Sequence, residues 1–497
     1  MTNLAAALEA RALESGWAGD VAFVAAGRSF THAEVHAGAA RCASLLAERG
    51  TDAGDRVLIA LPDGIELVWA FLGAVRLGAI AVPVNPRLTA GDHGDAAADA
   101  RARVVVCSAD LADRFPGAEV VVGEELEAAM AGCPVREPAD LSDGDPAYAQ
   151  YTSGTTGRPK AAVHAHGDPL VYFEAFARPA IALRRTDVVL SVSKLYFAYG
   201  LGNSLFFPLL SGCRAVLHAA HPRADEIAQA VRRNAVTVLF SVPTFYARLV
   251  AAGEPESFGS LRAAVSAGEA LSVALAERAR SLLGCPILDG IGSTEVGQTF
   301  ASNTLDCVRV GTVGRALSPY RVVVRDQDGA HDLPPGELGA LWVAGPTLLL
   351  GYLGDTPAAT RDGWLCTGDR GFLDGDGFLH LDGRFDDVEQ VGGISVSPLE
   401  IEAVLGGHPA VSEVAVAGVV GADGASRLVA FVVAGPGAPA ADVLEGELLA
   451  LARAELAPFK VPREVDFVET LPRTPTGKLR RFVLRGGQPA SDPKRSV

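Results

Sequence analysis

Tyr151-Thr-Ser-Gly-Thr-Thr-Gly-Arg-Pro-Lys160 is the stretch whose reading decides the fold. Gly154 and Gly157 allow a positive φ and let backbone N–H groups approach an anion closely, which a residue with a Cβ does only at a cost. Thr152, Ser153, Thr155 and Thr156 add four hydroxyl donors, Lys160 adds a positive charge, and Pro159 stiffens the approach to it. Together these features suit a polyphosphate. The spacing Gly-x-x-Gly-x-x-Lys differs from the Walker pattern, so an ordinary nucleoside triphosphatase is not expected. Ahead of the loop Ala147-Tyr-Ala-Gln150 suits a strand, and behind it Ala161 to Phe176 has helix-like apolar spacing, so the prediction is strand, loop, helix. Clusters of Ser, Thr and Gly also make ordinary loops. Lysine usage favours the first reading: only Lys160, Lys194, Lys460, Lys478 and Lys494 occur among 43 Lys plus Arg, and two of them, Lys160 and Lys478, sit in glycine-marked loops. Arg and Lys are not equivalent at phosphate sites, so a retained lysine there asks for a compact, rotatable charge.

Working outward, the 497 residues exceed what one hydrophobic core usually fills, and two or more domains are expected. Hydrophobic residues make up 49% and charged residues 21%, a globular balance. A net charge of −16 and the lack of any Lys/Arg-rich run argue against a nucleic-acid partner. The seven scattered cysteines form no Cys-x-x-Cys pair and are expected to be small buried hydrophobes in a reduced chain. The start of the chain lacks the basic flank of a signal peptide, and Val68 to Val84, the longest apolar stretch, is broken by Gly73, Arg76 and Gly78. A cytoplasmic protein without a membrane partner is expected, as a monomer or homodimer.

Strand-like runs at 54–61, 79–85 and 102–107 alternate with helical patterns at 30–49 and 64–77. The alternation resumes after the loop, with strands expected at 188–193, 214–218, 236–242, 261–267 and 286–290. The fold class is therefore α/β with doubly wound sheets. From about 310 to 383 a Gly, Asp and Pro-rich segment suggests a β subdomain of hairpins, with Asp374-Gly-Asp-Gly377 as a hairpin turn and not a calcium loop. A mixed pattern then predicts a small α+β domain over 386–485 and a polar, mobile tail over 486–497, leaving 1–385 as the N-terminal domain.

Four further stretches carry clustered polar groups: Ser266-Ala-Gly-Glu-Ala-Leu271, Asp289-Gly-Ile-Gly-Ser-Thr-Glu295, Cys366-Thr-Gly-Asp369 and Gly383-Arg-Phe-Asp-Asp387. Each alone is a common turn pattern. In this order, and with Tyr151 to Lys160, the set resembles the adenylate-forming superfamily of acyl-CoA synthetases, adenylation domains and luciferases, from about Phe30 to Arg481. The resemblance implies a mobile C-terminal domain and a two-step reaction: a carboxylate attacks the α-phosphate of Mg²⁺-bound ATP, and the acyl group then passes to a thiol. It further implies that Thr152, Ser153, Gly154, Thr155, Thr156, Gly157 and Lys160 hold the β and γ phosphates, Thr294 the α-phosphate and Glu295 the Mg²⁺. Gly268, Glu269, Ala270, Asp289 and Gly290 would wrap the adenine, Asp369 would bind the ribose diol, and Arg384 would lie near the same sugar. Leu471-Pro-Arg-Thr-Pro-Thr-Gly-Lys478 matches the family's lysine loop, which assigns catalysis to Lys478, and Asp386 falls at the hinge position.

Ser193-Lys-Leu-Tyr-Phe-Ala-Tyr-Gly-Leu-Gly-Asn-Ser204 resembles the benzoate-CoA ligase branch. It implies an aryl acid between Ala198, Tyr199 and a wall at Gly290 to Gly292, although such aromatic spacing also serves plain packing. Val296-Gly-Gln298 replaces the branch's usual Met-Leu-His, which suggests a polar ring substituent, hydroxyl or amino, near Gln298. Glu389 and Gln390 stand where the family commonly has an apolar residue and a lysine, which makes an anionic acceptor less favourable there. Coenzyme A is the expected thiol, with a carrier-protein phosphopantetheine arm as the alternative. An aliphatic acyl-CoA synthetase and a nucleotide-binding protein without catalysis are the remaining readings.

Overall fold

The computed structural model describes residues 3–152, 160–220, 222–326, 328–355, 360–384, 387, 389–391, 394–420, 426–473 and 479–486. Two large sheets and a smaller one carry the first 384 residues. In the first sheet the strand order is Gly351–Tyr352, Lys160–Ala165, Pro146–Thr152, Ile80–Pro83, Arg56–Ala60, Val104–Cys107, Glu119–Val122. Its central strands run parallel and are apolar beyond Arg56, Val57 to Ala60 and Val104–Cys107 being covered on both faces. Helix Ile65–Leu77 is buried along its whole length and ends at Gly78, whose φ of 86° only glycine adopts freely.

The second sheet has the order Arg315–Ala316, Thr299–Ser302, Ile287–Gly292, Ala263–Ser266, Val238–Ser241, Val188–Ser191, Arg214–Leu217, Val21–Ala25, Arg28–Thr31. Five consecutive strands, from Ile287–Gly292 to Arg214–Leu217, are parallel. Their register puts Ser241 beside Ser266 and Ser266 beside Asp289, so these polar residues line up at the carboxyl ends, where open α/β sheets bind ligands. One continuous core of buried side chains joins the sheets; Phe71, Tyr148 and Phe206 meet in it with ring centroids 5.4 to 5.9 Å apart.

The third sheet is the expected β unit, built on Arg321–Arg325, Gly339–Ala344, Trp364–Leu373 and Leu379–Arg384. Asp374 accepts the N–H groups of Asp376 and Phe378, both at 2.9 Å, closing the Asp-Gly-Asp-Gly segment as a hairpin turn. Backbone bonds Val313 to Leu379 (3.0 Å) and Leu379 to Gly314 (2.8 Å) tie this sheet to the end of the second. Beyond it, strands Val411–Val420, Ser426–Ala434 and Glu464–Phe467 pack against helices Pro398–Gly406 and Ala441–Glu455 around a separate core of Ile401, Leu405, Leu444 and Leu448.

Two expectations need correction. The segment after the phosphate-type loop is not a helix from 161: Lys160–Ala165 is a strand antiparallel to Pro146–Thr152, and the helix starts only at Asp168. Ala161-Ala-Val-His-Ala165 is too short for its apolar spacing to separate helix from strand, and burial at every position from Ala161 to Ala165 favours the strand. The cysteines are not uniformly buried either. Cys42, Cys107, Cys213 and Cys285 are, whereas Cys133 is half-buried, Cys307 is exposed in the loop after strand Thr299–Ser302, and Cys366 is exposed on strand Trp364–Leu373. No helix among the described residues is long and apolar enough to cross a membrane.

Candidate active site

Among the described residues singled out from the sequence, Thr152 and Lys160, the Gly268 to Ala270 segment and Thr294 and Glu295 lie at or just beyond strand ends, while Asp289, Asp369 and Arg384 lie within strands. Thr152 closes one strand and Lys160 opens the next, the two being register partners across the loop. Ser153, Gly154, Thr155, Thr156 and Gly157 lie outside the described residues, as do Asp386 and Lys478 and all but Gly486 of the expected tail. Lys160 is exposed, and its Nζ stands 5.4 Å from the ring centroid of Tyr352. The Tyr352 hydroxyl in turn donates to Glu295 Oε1 at 3.4 Å. Burial, reinforced by the Glu295 charge, pushes the Tyr352 phenol up to about 12, so it stays a donor at neutral pH. Tyr352 thus joins a lysine from one sheet to a carboxylate from the other.

Glu295 is fixed from its other side by Ser293, whose hydroxyl donates to Oε2 and accepts the Glu295 N–H at 3.1 Å. Beneath this turn lies a buried polar group that the sequence reading missed. His164 Nε2 donates to the Thr294 carbonyl at 2.7 Å, which leaves Nδ1 to the Tyr172 hydroxyl (3.3 Å) and beside Asp168 Oδ2 (3.2 Å). Asp168 also takes the Ala165 N–H at 3.0 Å, and Tyr148 adds a hydroxyl contact to Tyr172 at 3.0 Å and a stacked ring on His164. The signal available in the sequence is His164 and Asp168 at i, i+4, which an expected helix explains as an ordinary same-face pair; here the end of a strand and the start of a short helix bring them together.

Gly268, with φ 90°, Glu269 and Ala270 follow the strand that ends at Ser266, next to Asp289 in register. The Glu269 side chain faces the protein and not open space. Oε2 accepts the N–H of Thr244 at 3.1 Å together with its hydroxyl, and Oε1 accepts Arg473 Nη1 at 3.3 Å. Asp289 is buried with Oδ1 unpaired; the Ser266 hydroxyl lies close without closing a full hydrogen bond. Burial, opposed by Ser266 and the Gly290 N–H, raises its carboxyl well above the usual range. A cavity of about 290 Å³ opens beside Asp289, with Leu271, Ala276 and Val310 on its apolar side and Arg280 and Asn303 on its polar side. Asp369 and Arg384 are brought together as register partners 3.8 Å apart, on adjacent strands of the third sheet.

In the proposed acyl segment Tyr199 is half-buried, donates to the Val265 carbonyl at 3.3 Å and meets Phe240 edge-on. Ala198 begins the same helical turn. Lys194 anchors the segment: it is 6% exposed, donates to the His218 carbonyl, and stands 3.9 Å from Asp63, which accepts the Leu195 N–H at 3.0 Å. Gln298 is 2% exposed. Its oxygen takes the Thr299 N–H (3.0 Å) and hydroxyl (3.1 Å), and its nitrogen lies 3.5 Å from the carbonyls of Ala198 and Tyr199, so it braces that turn. At Gly290 and Gly292 the space of a Cβ is taken by the strand running through Gln298 to Ser302, and close strand approach accounts for both glycines. In the small α+β unit Glu389 is buried and paired with Arg485 at 2.9 Å, which neutralises the charge noted from the sequence.

The model for AMP-binding enzymes matches residues 8–353, and the model for the AMP-binding enzyme C-terminal domain matches residues 400–478. The chain is 45% identical to the p-hydroxybenzoic acid–AMP ligase of Mycobacterium marinum, over 98% of this chain and 70% of that protein. It is 38% identical to the benzoate–CoA ligase of Thauera aromatica, over 97% of this chain and 95% of that protein. Among solved structures, a benzoate CoA ligase from Burkholderia xenovorans superposes with a TM-score of 0.91 at 36% identity, covering 98% of this chain and 100% of that one.

Proposed function

Since this chain belongs to the AMP-binding enzymes, in the branch that includes the benzoate-CoA ligases, we propose that it activates an aryl carboxylic acid with ATP and passes the acyl group to a thiol. The observation that carries the reading is the meeting of Lys160, Tyr352 and Glu295 across the two large sheets. A cationic side chain and a carboxylate held by one phenol make a place for a metal-bound polyphosphate. Among the described residues no three His, Cys, Asp or Glu side chains gather as a metal cage. A single carboxylate such as Glu295 suits Mg²⁺, which takes few protein ligands and completes its shell with phosphate and water. When bound, that ion supplies charge neutralisation between the carboxylate and the phosphates.

The work left to the chain is to bring two anions together. Lys160 and the loop before it hold the outer phosphates, Thr294 faces the α-phosphate, and the His164 bond to its carbonyl fixes where that residue stands. A carboxylate oxygen attacks the α-phosphorus, the bond to pyrophosphate breaks, and the acyl-adenylate forms. Lys478 neutralises the converging anions in that step. The thiol then attacks the acyl carbon, and AMP leaves. Asp369 and Arg384 hold the ribose, Asp289 and the Gly268 to Ala270 turn the adenine, and Tyr199 and Ala198 the aryl ring. The division into a domain over 1–385 and a mobile one over 386–485, hinged at Asp386, belongs to the same proposal.

Coenzyme A is the first acceptor, as in the names of the benzoate and hydroxybenzoate relatives. A carrier-protein thiol is the second reading, favoured by the name of the 45% identical relatives, which specifies an AMP ligase and no CoA. Mass spectrometry of Mg-ATP reactions with benzoate, hydroxybenzoates, aminobenzoates and octanoate, each with and without CoA, tests both. Aryl-CoA from one or two aromatic acids is the expected result. Acyl-AMP accumulating without thioester would move the acceptor to a carrier protein, and turnover of octanoate alone would overturn the aryl reading.

A further inference from the structure

Arg473 lies in the stretch that leads into Lys478, and its guanidinium spans two carboxylates. Nη1 is 3.3 Å from Glu269 Oε1, in the adenine motif, and Nη2 is 2.8 Å from Glu413 Oε2, on strand Val411–Val420 of the small α+β unit. Helix Pro243–Ala252 completes the arrangement from the large region. Its Thr244 N–H and hydroxyl hold the other oxygen of Glu269, and one turn later Arg248 Nε reaches Glu413 Oε1 at 3.9 Å. The four charges alternate, Glu269, Arg473, Glu413, Arg248, and two of the contacts cross between the large region and the small unit. The side chains of Glu269, Arg473 and Glu413 are each only 17–20% exposed, which separates this group from screened surface pairs.

The backbone carries this anchor to the lysine. Arg473 and Leu479 are bridged antiparallel, and the Arg480 N–H donates to the Pro472 carbonyl at 2.8 Å. Lys478 is the immediate neighbour of Leu479, so the residue next to it is tied through Arg473 to the adenine motif.

We propose that Arg473 is a positioning residue for the adenylation step, fixing the base of the Lys478 loop against Glu269. The inference rests on the adenylation reading given above. A misplaced ammonium costs most where two anions converge, as they do when the carboxylate meets the α-phosphate. In thiol transfer the acyl group is already activated, and that convergence is absent.

The test uses the full-length protein with Arg473→Ala and Arg473→Lys. Pyrophosphate release with the preferred acid reads the first step, and thioester formation from supplied acyl-AMP reads the second. Arg473→Ala is expected to slow the first by about tenfold or more and the second by less than about twofold, with Arg473→Lys in between because it keeps the charge and loses the fork. Equal losses in both steps, or no loss in either, would overturn the proposal. Hydrogen exchange of the 471–481 segment without any substrate gives an independent reading. Arg473→Ala should speed exchange there by about tenfold, and unchanged exchange would contradict the anchor. If the unmodified protein adenylates no acid, the functional reading fails, while the exchange measurement still decides whether Arg473 anchors the loop.

Discussion

Tyr352 touches both Lys160 and Glu295, the candidate metal carboxylate, and the two contacts differ in what their loss should cost. Glu295→Gln removes the only carboxylate in the Ser293 to Glu295 turn, and pyrophosphate release should fall by about 10² to 10³. Tyr352→Phe keeps the ring under Lys160 and loses one long hydrogen bond, so its cost should stay below about tenfold. Steady-state kinetics that ranked the two in the opposite order would contradict the assignment of the metal to Glu295. A second residue-scale prediction concerns Asp63. Burial, the leading cause, lifts its carboxyl from 3.8 to about 6 against the opposing Lys194 charge and Leu195 N–H. A carboxyl raised on folding holds a proton that the unfolded chain has released, so stability should fall as pH rises from about 4 to about 6. Asp63→Asn should flatten that slope in denaturation curves at pH 4, 5 and 6, whatever its effect on overall stability; a slope unchanged by the substitution would contradict the raised carboxyl.

Elements hold the site through close approach. Gly297, at φ 88°, turns the chain after Glu295 directly over Tyr172, where a Cβ would fall on the phenol oxygen. Gly297→Ala should therefore cost about 1–3 kcal/mol of stability and lower adenylation with it, as thermal unfolding and pyrophosphate release would show together. An unshifted midpoint would contradict the packing described. The strands of the second sheet were legible because parallel buried strands leave apolar runs such as Val238–Ser241, bounded by turn residues. The small unit was equally legible as a mixed α+β pattern, which helix Ala441–Glu455 and the strands beside it bear out. The strand Lys160–Ala165 was not, because its pairing with Pro146–Thr152 is a tertiary fact that a six-residue apolar segment does not announce. The strand Trp364–Leu373, which carries Asp369, was hidden by polar residues on its exposed face. In the candidate site, motif order singled out Glu295, Asp369 and Lys160. Tyr352 and His164 were missed because each acts through a partner more than fifty residues away, Glu295 for one and Thr294 for the other.

For the whole molecule, the candidate site is a meeting of units. The first sheet supplies Lys160 and Tyr352, the second Glu295 and Asp289, the third Asp369 and Arg384, and the small unit brings Arg473 onto Glu269. On the proposed reading, residues from all three sheets surround one nucleotide, and the chemistry takes place at its α-phosphate. The most direct test of that claim is isotopic. 4-Hydroxybenzoate labelled with ¹⁸O in its carboxylate, or whichever aryl acid the panel identifies, would be turned over with Mg-ATP and a thiol acceptor, and the AMP weighed by mass spectrometry. Attack by the carboxylate on the α-phosphorus predicts AMP carrying one ¹⁸O and unlabelled pyrophosphate. Unlabelled AMP, or ADP in place of AMP, would contradict the account.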